Sequence, residues 1–169
     1  GRQHPTTISS MFFKNISLWL LGLSSFNEKG DYLPFDKAFK PEVFSNAFDN
    51  LPIAIVNLKK ESGKGTISNS ELWGYITKSE KYAELLKKQM EVLNPNIIVC
   101  GGGSGTVLNI ALNYIYSELK FDKINNWIYH NKEKSITLID SYHPSRNPYR
   151  KTYEGMMNSY QEFINKIER

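Results

Sequence analysis

Three polar stretches of this chain each follow a short apolar run, and they hold the residues best suited to chemistry. Asn57, Lys59 and Lys60 follow Ile53-Ala54-Ile55-Val56. Gly101-Gly102-Gly103-Ser104-Gly105 follows Ile97-Ile98-Val99-Cys100, and the stretch Asp140 to Tyr149, which contains Ser141-Tyr142-His143-Pro144-Ser145-Arg146, follows Ile136-Thr137-Leu138-Ile139. An imidazole changes charge near neutrality, and a side-chain amide offers a donor and an acceptor to one partner edge. Hydroxyls and backbone amides at helix starts hold phosphates, which makes Ser9, Ser10, Ser104 and Ser145 candidates, with Ser62, Gly101 and Gly102 in the same kind of loop. Lys59, Lys60, Arg146 and Arg150 add positive charge nearby in sequence.

Each of these residues also has a plainer reading. Asn57 can cap the turn that follows it, His143 can be an ordinary turn histidine before proline, and the lysines can line a solvated loop. The glycine run departs from the dinucleotide fingerprint, because Thr106 stands where a third glycine is needed. It also lacks the Gly-Lys-Ser/Thr of a phosphate-binding loop.

The elements that must position these loops are legible as alternating apolar patterns. Ser9 and Ser10 precede a helical stripe of Phe12, Ile16, Trp19, Leu20 and Leu23, a spacing that also accounts for Phe12 and Phe13 as core residues. Phe35, Phe39, Val43, Phe44 and Phe48 suggest a second helical stretch interrupted or restarted at Pro41. The continuous run Ile53–Val56 suits a strand covered on both faces, and Ser68 with Glu71 has the pattern of a capping box. Helical spacing then runs through Leu72, Trp73 and Ile76, and again through Tyr82, Leu85, Leu86, Met90 and Leu93, stopping at Asn94-Pro95.

Ile97–Cys100 is predicted as a second buried strand, with Cys100 a small buried residue. The glycine run turns it into a helix with Val107, Leu108, Ala111, Leu112, Ile115 and Leu119 inward. Trp127–Tyr129 reads as an edge strand, Ile136–Ile139 as a core strand, and Tyr153 to Ile167 as a closing helix. This alternation predicts a three-layer α/β/α fold with a central, mainly parallel four-stranded sheet, and places binding chemistry at the carboxyl ends of its strands.

Composition sets the outer bounds. A chain of 169 residues fits one domain, and a 40% hydrophobic share with 22 aromatic residues argues against disorder. The net charge of +4, from 21 basic and 17 acidic side chains, permits a polyanionic partner without requiring one. The single cysteine excludes an internal disulfide and a four-cysteine metal site, so a reducing, cytoplasmic setting is expected, with no metal and no cofactor. The apolar run at Leu18-Trp19-Leu20-Leu21 is too short to cross a bilayer, and a monomer without a membrane partner is expected.

Taken in order, the three loops resemble the uracil-DNA glycosylase superfamily. Its pattern is a strand ending in Asn before a basic loop, a strand ending in Gly before a helix, and a strand ending in His-Pro-Ser. The similarity covers most of the chain: Val56-Asn57-Leu58-Lys59-Lys60, the glycine turn, and Ser141 to Arg146. Pro5-Thr6-Thr7-Ile8-Ser9-Ser10 resembles the family's serine-bearing phosphate-contact segment. The resemblance implies DNA as partner, Asn57 reading the edge of an extruded base, and His143 facing the base oxygen that gains charge as the glycosidic bond breaks. It also implies that Pro144, Ser145 and Arg146 enter the DNA groove. The reaction implied is hydrolysis of the N-glycosidic bond of uracil or a related damaged base.

One departure bears on activity. The family's first motif, a glycine-led loop usually carrying a water-orienting Asp, Glu or Asn, has no match, and Glu28 is the first carboxylate. The expectation is a chain truncated at its N-terminus, with that motif just before Gly1, or a relative that lacks the acid. Two other classes therefore stand beside the glycosylase: a non-catalytic DNA- or nucleotide-binding relative, and a nucleotide- or dinucleotide-dependent small-molecule enzyme built on the glycine turn.

Overall fold

The computed structural model describes residues 10–61, 67–145 and 149–167. The first helix, α1 (Met11–Ser24), starts where the sequence predicts, because the Ser10 hydroxyl accepts the Phe13 N–H at 3.3 Å. Its stripe meets the long closing helix α8 (Tyr149–Ile167), with Leu18 and Trp19 packed among Tyr153, Met156 and Met157. The approach is close at Gly22, where a Cβ would stand 2.4 Å from Met157 Sδ and 2.8 Å from Tyr153 Cε2.

The phenylalanine-rich stretch is broken into three single-turn helices: α2 (Phe35–Ala38), α3 (Pro41–Phe44) and α4 (Ala47–Asn50). Pro41 opens α3, where its missing N–H costs nothing. The capping box is formed as expected, with Ser68 and Glu71 bonding reciprocally at the start of α5 (Asn69–Thr77). Helix α6 (Glu80–Leu93) ends on Asn94 in the left-handed conformation, just before Pro95. Of the apolar residues assigned to these two helices, Ile76, Leu86 and Met90 are buried, whereas Trp73, Leu85 and Leu93 are exposed. Phe13 is exposed as well, at 46%, so the core role assigned to it is corrected.

The sheet has four strands in the order β1 (Ile97–Gly101), β4 (Ile136–Ser141), β3 (Ile128–Asn131), β2 (Asp122–Lys123). It is mixed rather than mainly parallel: β1 runs parallel to β4, from Ile97 opposite Thr137 to Gly101 opposite Ser141, while β4–β3 and β3–β2 are antiparallel. The reason lies in the short Asp122–Asn131 segment. Its Asn125 side chain accepts the N–H groups of Trp127 and Ile128 and folds the chain back on itself, so no crossover helix separates these strands. The strand around Trp127–Tyr129 is therefore interior, and β2 is at the edge.

The predicted strand Ile53–Val56 does not form. Those residues have no regular secondary structure and lie outside the sheet, with Ile53 and Ile55 exposed; Val56, and Leu58 just beyond the run, pack against the cluster of Ile76, Leu86 and Ile110. A β-branched run favours extended backbone but cannot supply the neighbouring strand that a ladder requires. The helix after the glycine run is also shorter than expected: α7 (Thr106–Ile110) passes into a π-helical turn, Ala111–Ile115, that is capped at Tyr116.

Helices cover both faces of the sheet. Ile139 faces α1 and α8, whereas Cys100 and Leu138 face Leu108 and Ala111 of the α7 side. No helix among the described residues is long and apolar enough to cross a membrane. Because α1 and α8 touch at Gly22, Gly22→Val should lower the unfolding free energy by about 1–3 kcal/mol, read as a fall in the urea midpoint.

Candidate functional site

The parallel pairing of β1 with β4 puts their carboxyl ends side by side, and with them the glycine turn and the His143 loop. The Ser141 carbonyl accepts the N–H groups of Gly102 at 3.2 Å and Gly103 at 2.9 Å. The Pro144 ring lies 3.4 Å from where a Gly101 Cβ would stand. Gly102 is required for close approach, since its Cβ would meet Val107 Cγ2 at 2.3 Å, and Gly103, Ser104 and Gly105 all have positive φ. Ser104 is held there by Asn69 at the start of α5, whose amide donates to its hydroxyl at 2.7 Å.

The His143 loop is fastened from the other side by α1. Asn15, fully buried, donates its side-chain amide to the Pro144 carbonyl, and its Oδ1 accepts from Thr152 of α8 at 3.4 Å. A buried amide without such partners would cost about 1–3 kcal/mol, so this contact ties the loop to two helices. Pro144 is buried while His143 and Ser145 are exposed. The Phe12 ring lies 5.9 Å from the imidazole.

The His143 Nδ1 receives the backbone N–H of Ser145 at 3.3 Å and lies 2.7 Å from the Ser145 hydroxyl. A backbone N–H can only donate, so Nδ1 acts as acceptor and the neutral ring carries its proton on Nε2. The loop thus sets the tautomer and makes Nε2–H a donor with a fixed direction.

The other candidates are distributed more widely. Asn57 is exposed on the segment between α4 and α5, which has no regular secondary structure, and its side chain bonds no described residue. Lys59 is half-buried and interacts electrostatically with Glu71. Lys60 donates to Gln89 at 2.7 Å, its N–H reaches the Tyr75 hydroxyl, and partial desolvation lowers its pKa. Arg150 is bonded by Asp36 and Glu154 and lies 4.4 Å over the Phe35 ring, beside a surface cavity of about 300 Å³. Its charge is offset by the two carboxylates. Ser10 is at the start of α1, two residues before Phe12, with its hydroxyl engaged in the cap. Ser9, Ser62 and Arg146 lie outside the described residues, as does His4.

Sequence reasoning missed Asn15 and Asn69, and gave Asp140 no role beyond opening the polar stretch that runs to Tyr149. Asn15 is detectable only as a polar residue one turn before Leu18 on the apolar stripe of α1, and Asn69 only as the residue after a capping serine. Asp140, the fifth residue of β4, is two positions beyond Leu138 and so shares the α7 face of the sheet. Its Oδ2 lies 4.0 Å from where a Gly105 Cβ would stand, and burial raises its carboxyl pKa. Cys100, opposite it on β1, is buried, and its thiol is pushed up to about 12 by that burial and then by the Asp140 charge. It is therefore protonated and unreactive near neutrality.

No family model, curated protein or solved structure matches this chain. The geometry defines a mixed α/β domain with a glycine turn and an oriented histidine at one end of a parallel strand pair.

Removing the clamp should loosen the histidine. Asn15→Ala is expected to cost about 1–3 kcal/mol of stability in denaturant titration. In histidine proton–nitrogen correlation spectra above the imidazole pKa, His143 should show the Nε2–H pattern in both wild type and variant, because Ser145 sets the tautomer, with the variant's signals broadened by the loosened loop.

Proposed function

We propose that this chain is a DNA-base-handling domain of the uracil-DNA glycosylase type, which hydrolyses the N-glycosidic bond of uracil or a related damaged base. The observation that carries the reading is the oriented Nε2–H of His143 on a loop fastened by Asn15 at the end of β4. A preorganised donor aimed at developing negative charge is a strong catalytic device. A base leaving C1′ develops such charge on its carbonyl oxygen.

In this reading Asn57 contacts the base edge, and the lysines of its loop, with Ser10, Ser104 and Ser145, approach the phosphates. Reaching the bond requires extruding the nucleotide, at a cost of a few kcal/mol that binding contacts must offset. The resemblance also implies a mainly parallel, glycosylase-like sheet; the β1–β4 pair is the part of the present sheet that agrees with it. The compartment proposed is intracellular, and the active unit a monomer on DNA.

A second reading, a relative that binds DNA or a nucleotide without chemistry, is favoured by the position of Asn57. It stands on an unpaired segment rather than on a strand beside β1. Salt-dependent DNA binding without base release would select it. A dinucleotide enzyme is disfavoured, because Thr106 stands where the third glycine of the fingerprint is needed.

The deciding assay is release of uracil from single- and double-stranded oligonucleotides, read as alkali-labile abasic product; no product from either strand form rejects the enzyme. His143→Ala should lower turnover about 100- to 1,000-fold while leaving DNA affinity nearly unchanged. Asn57→Ala should weaken both binding and turnover, each by about 1–3 kcal/mol.

A further inference from the structure

We infer that Phe13 and Phe48 form a stacking platform for an unpaired base beside the reacting nucleotide, which makes single-stranded DNA the preferred partner; this rests on the reading of the chain as a DNA-base-handling domain. The argument begins with exposure. Met11 is 39% exposed and Phe13 46%, in the first turn of a helix that buries Leu18 and Trp19 further along. Apolar surface left in water is unfavourable, so large side chains exposed together mark a contact surface.

The rings lead outward from the site. Between centroids, Phe12 lies 5.9 Å from the His143 imidazole, Phe13 lies 5.2 Å from Phe12, and Phe48 of α4 lies 6.0 Å from Phe13. Successive nucleotides of a strand are at least about 3.4 Å apart, so a base one or two positions from the nucleotide facing His143 is within reach of this run. Phe13 stands at 87° to Phe12 and 82° to Phe48, and two edge-to-face contacts of that kind hold its ring in one orientation before a ligand arrives. A ring already fixed loses little freedom when a base stacks on it.

Charge and strand form select the occupant. The first turn of α1 has no acidic residue, and Lys14 follows Phe13, so a phosphate is accommodated at this helix start. Asp49 beside Phe48 adds no attraction for a phosphate, so ring contact supplies the hold at that end. A ring face accepts any base, but only a base outside a paired stack offers its own face in return. Phenylalanine has no donor or acceptor, so the platform selects strand form and not base identity.

The test measures the affinity of the chain for a uracil-containing oligonucleotide, single-stranded and in a duplex, across a salt series. Stacking of one base corresponds to about a 5- to 150-fold change in affinity, so Phe13→Leu should weaken single-strand binding by that factor and leave the salt slope as it is. Duplex affinity should change by less than about twofold, and Phe13→Trp should bind the single strand at least as tightly as wild type. Phe13→Leu within about twofold of wild type on the single strand would overturn the platform while leaving uracil release, and so the glycosylase reading, intact. An equal loss on both strand forms would also overturn it. Binding that depends on Phe13 without release of uracil supports the platform and rejects the enzyme, whereas a wild-type chain that binds neither strand form overturns both. Should Phe13→Leu fail to fold, Phe48→Leu decides by the same criteria.

Discussion

The parallel pairing of Ile97–Gly101 with Ile136–Ser141 is the constraint on which the candidate site depends. Two strands that run the same way must finish at the same edge, so the turns leaving them are neighbours whatever their sequence. Here one turn is glycine-rich and the other carries His143, and the Ser141 carbonyl joins them through two backbone hydrogen bonds. Without that pairing the glycine turn and the histidine would be unrelated loops. The antiparallel strands β3 and β2 extend the sheet on one side only, and they add Trp127, whose carbonyl holds the Asp140 backbone.

A second constraint comes from α1. Asn15 is a fully buried polar residue on an otherwise apolar stripe, and its amide is satisfied by the Pro144 carbonyl on one side and Thr152 on the other. Buried polar groups that are fully paired specify one arrangement, because every alternative leaves a donor or acceptor unmet. The cost of a polar atom in the core is thereby turned into a fixed loop. The same loop orients its own histidine through Ser145, so the tautomer is set locally and the position is set by the helix packing.

The charge distribution separates structural cations from those open to a ligand. Arg150 is tied to Asp36 and Glu154, and Lys60 to Gln89, so both serve first to join elements of the fold. Exposed ion pairs such as those of Arg150 add little stability, but they reduce the field available to a polyanion. A net charge of +4 spread in this way fits a protein that finds its partner by shape and local hydrogen bonding as much as by electrostatic attraction.

Local signals in the sequence were sufficient for α1 with its Ser10 cap, for the Ser68–Glu71 capping box, and for the unit from Ile97 through the glycine turn. Each is decided by residues within a few positions of one another. His143 was legible as a strand-end residue for the same reason. Tertiary structure alone decided whether Ile53–Val56 became a strand, because a ladder needs a partner that a β-branched run does not encode. It likewise decided the hand of the pairings around β3, the tautomer of His143, and the meeting of Asn15 with Pro144. The last contact spans 129 positions, and no periodicity reports which carbonyl a buried amide will find.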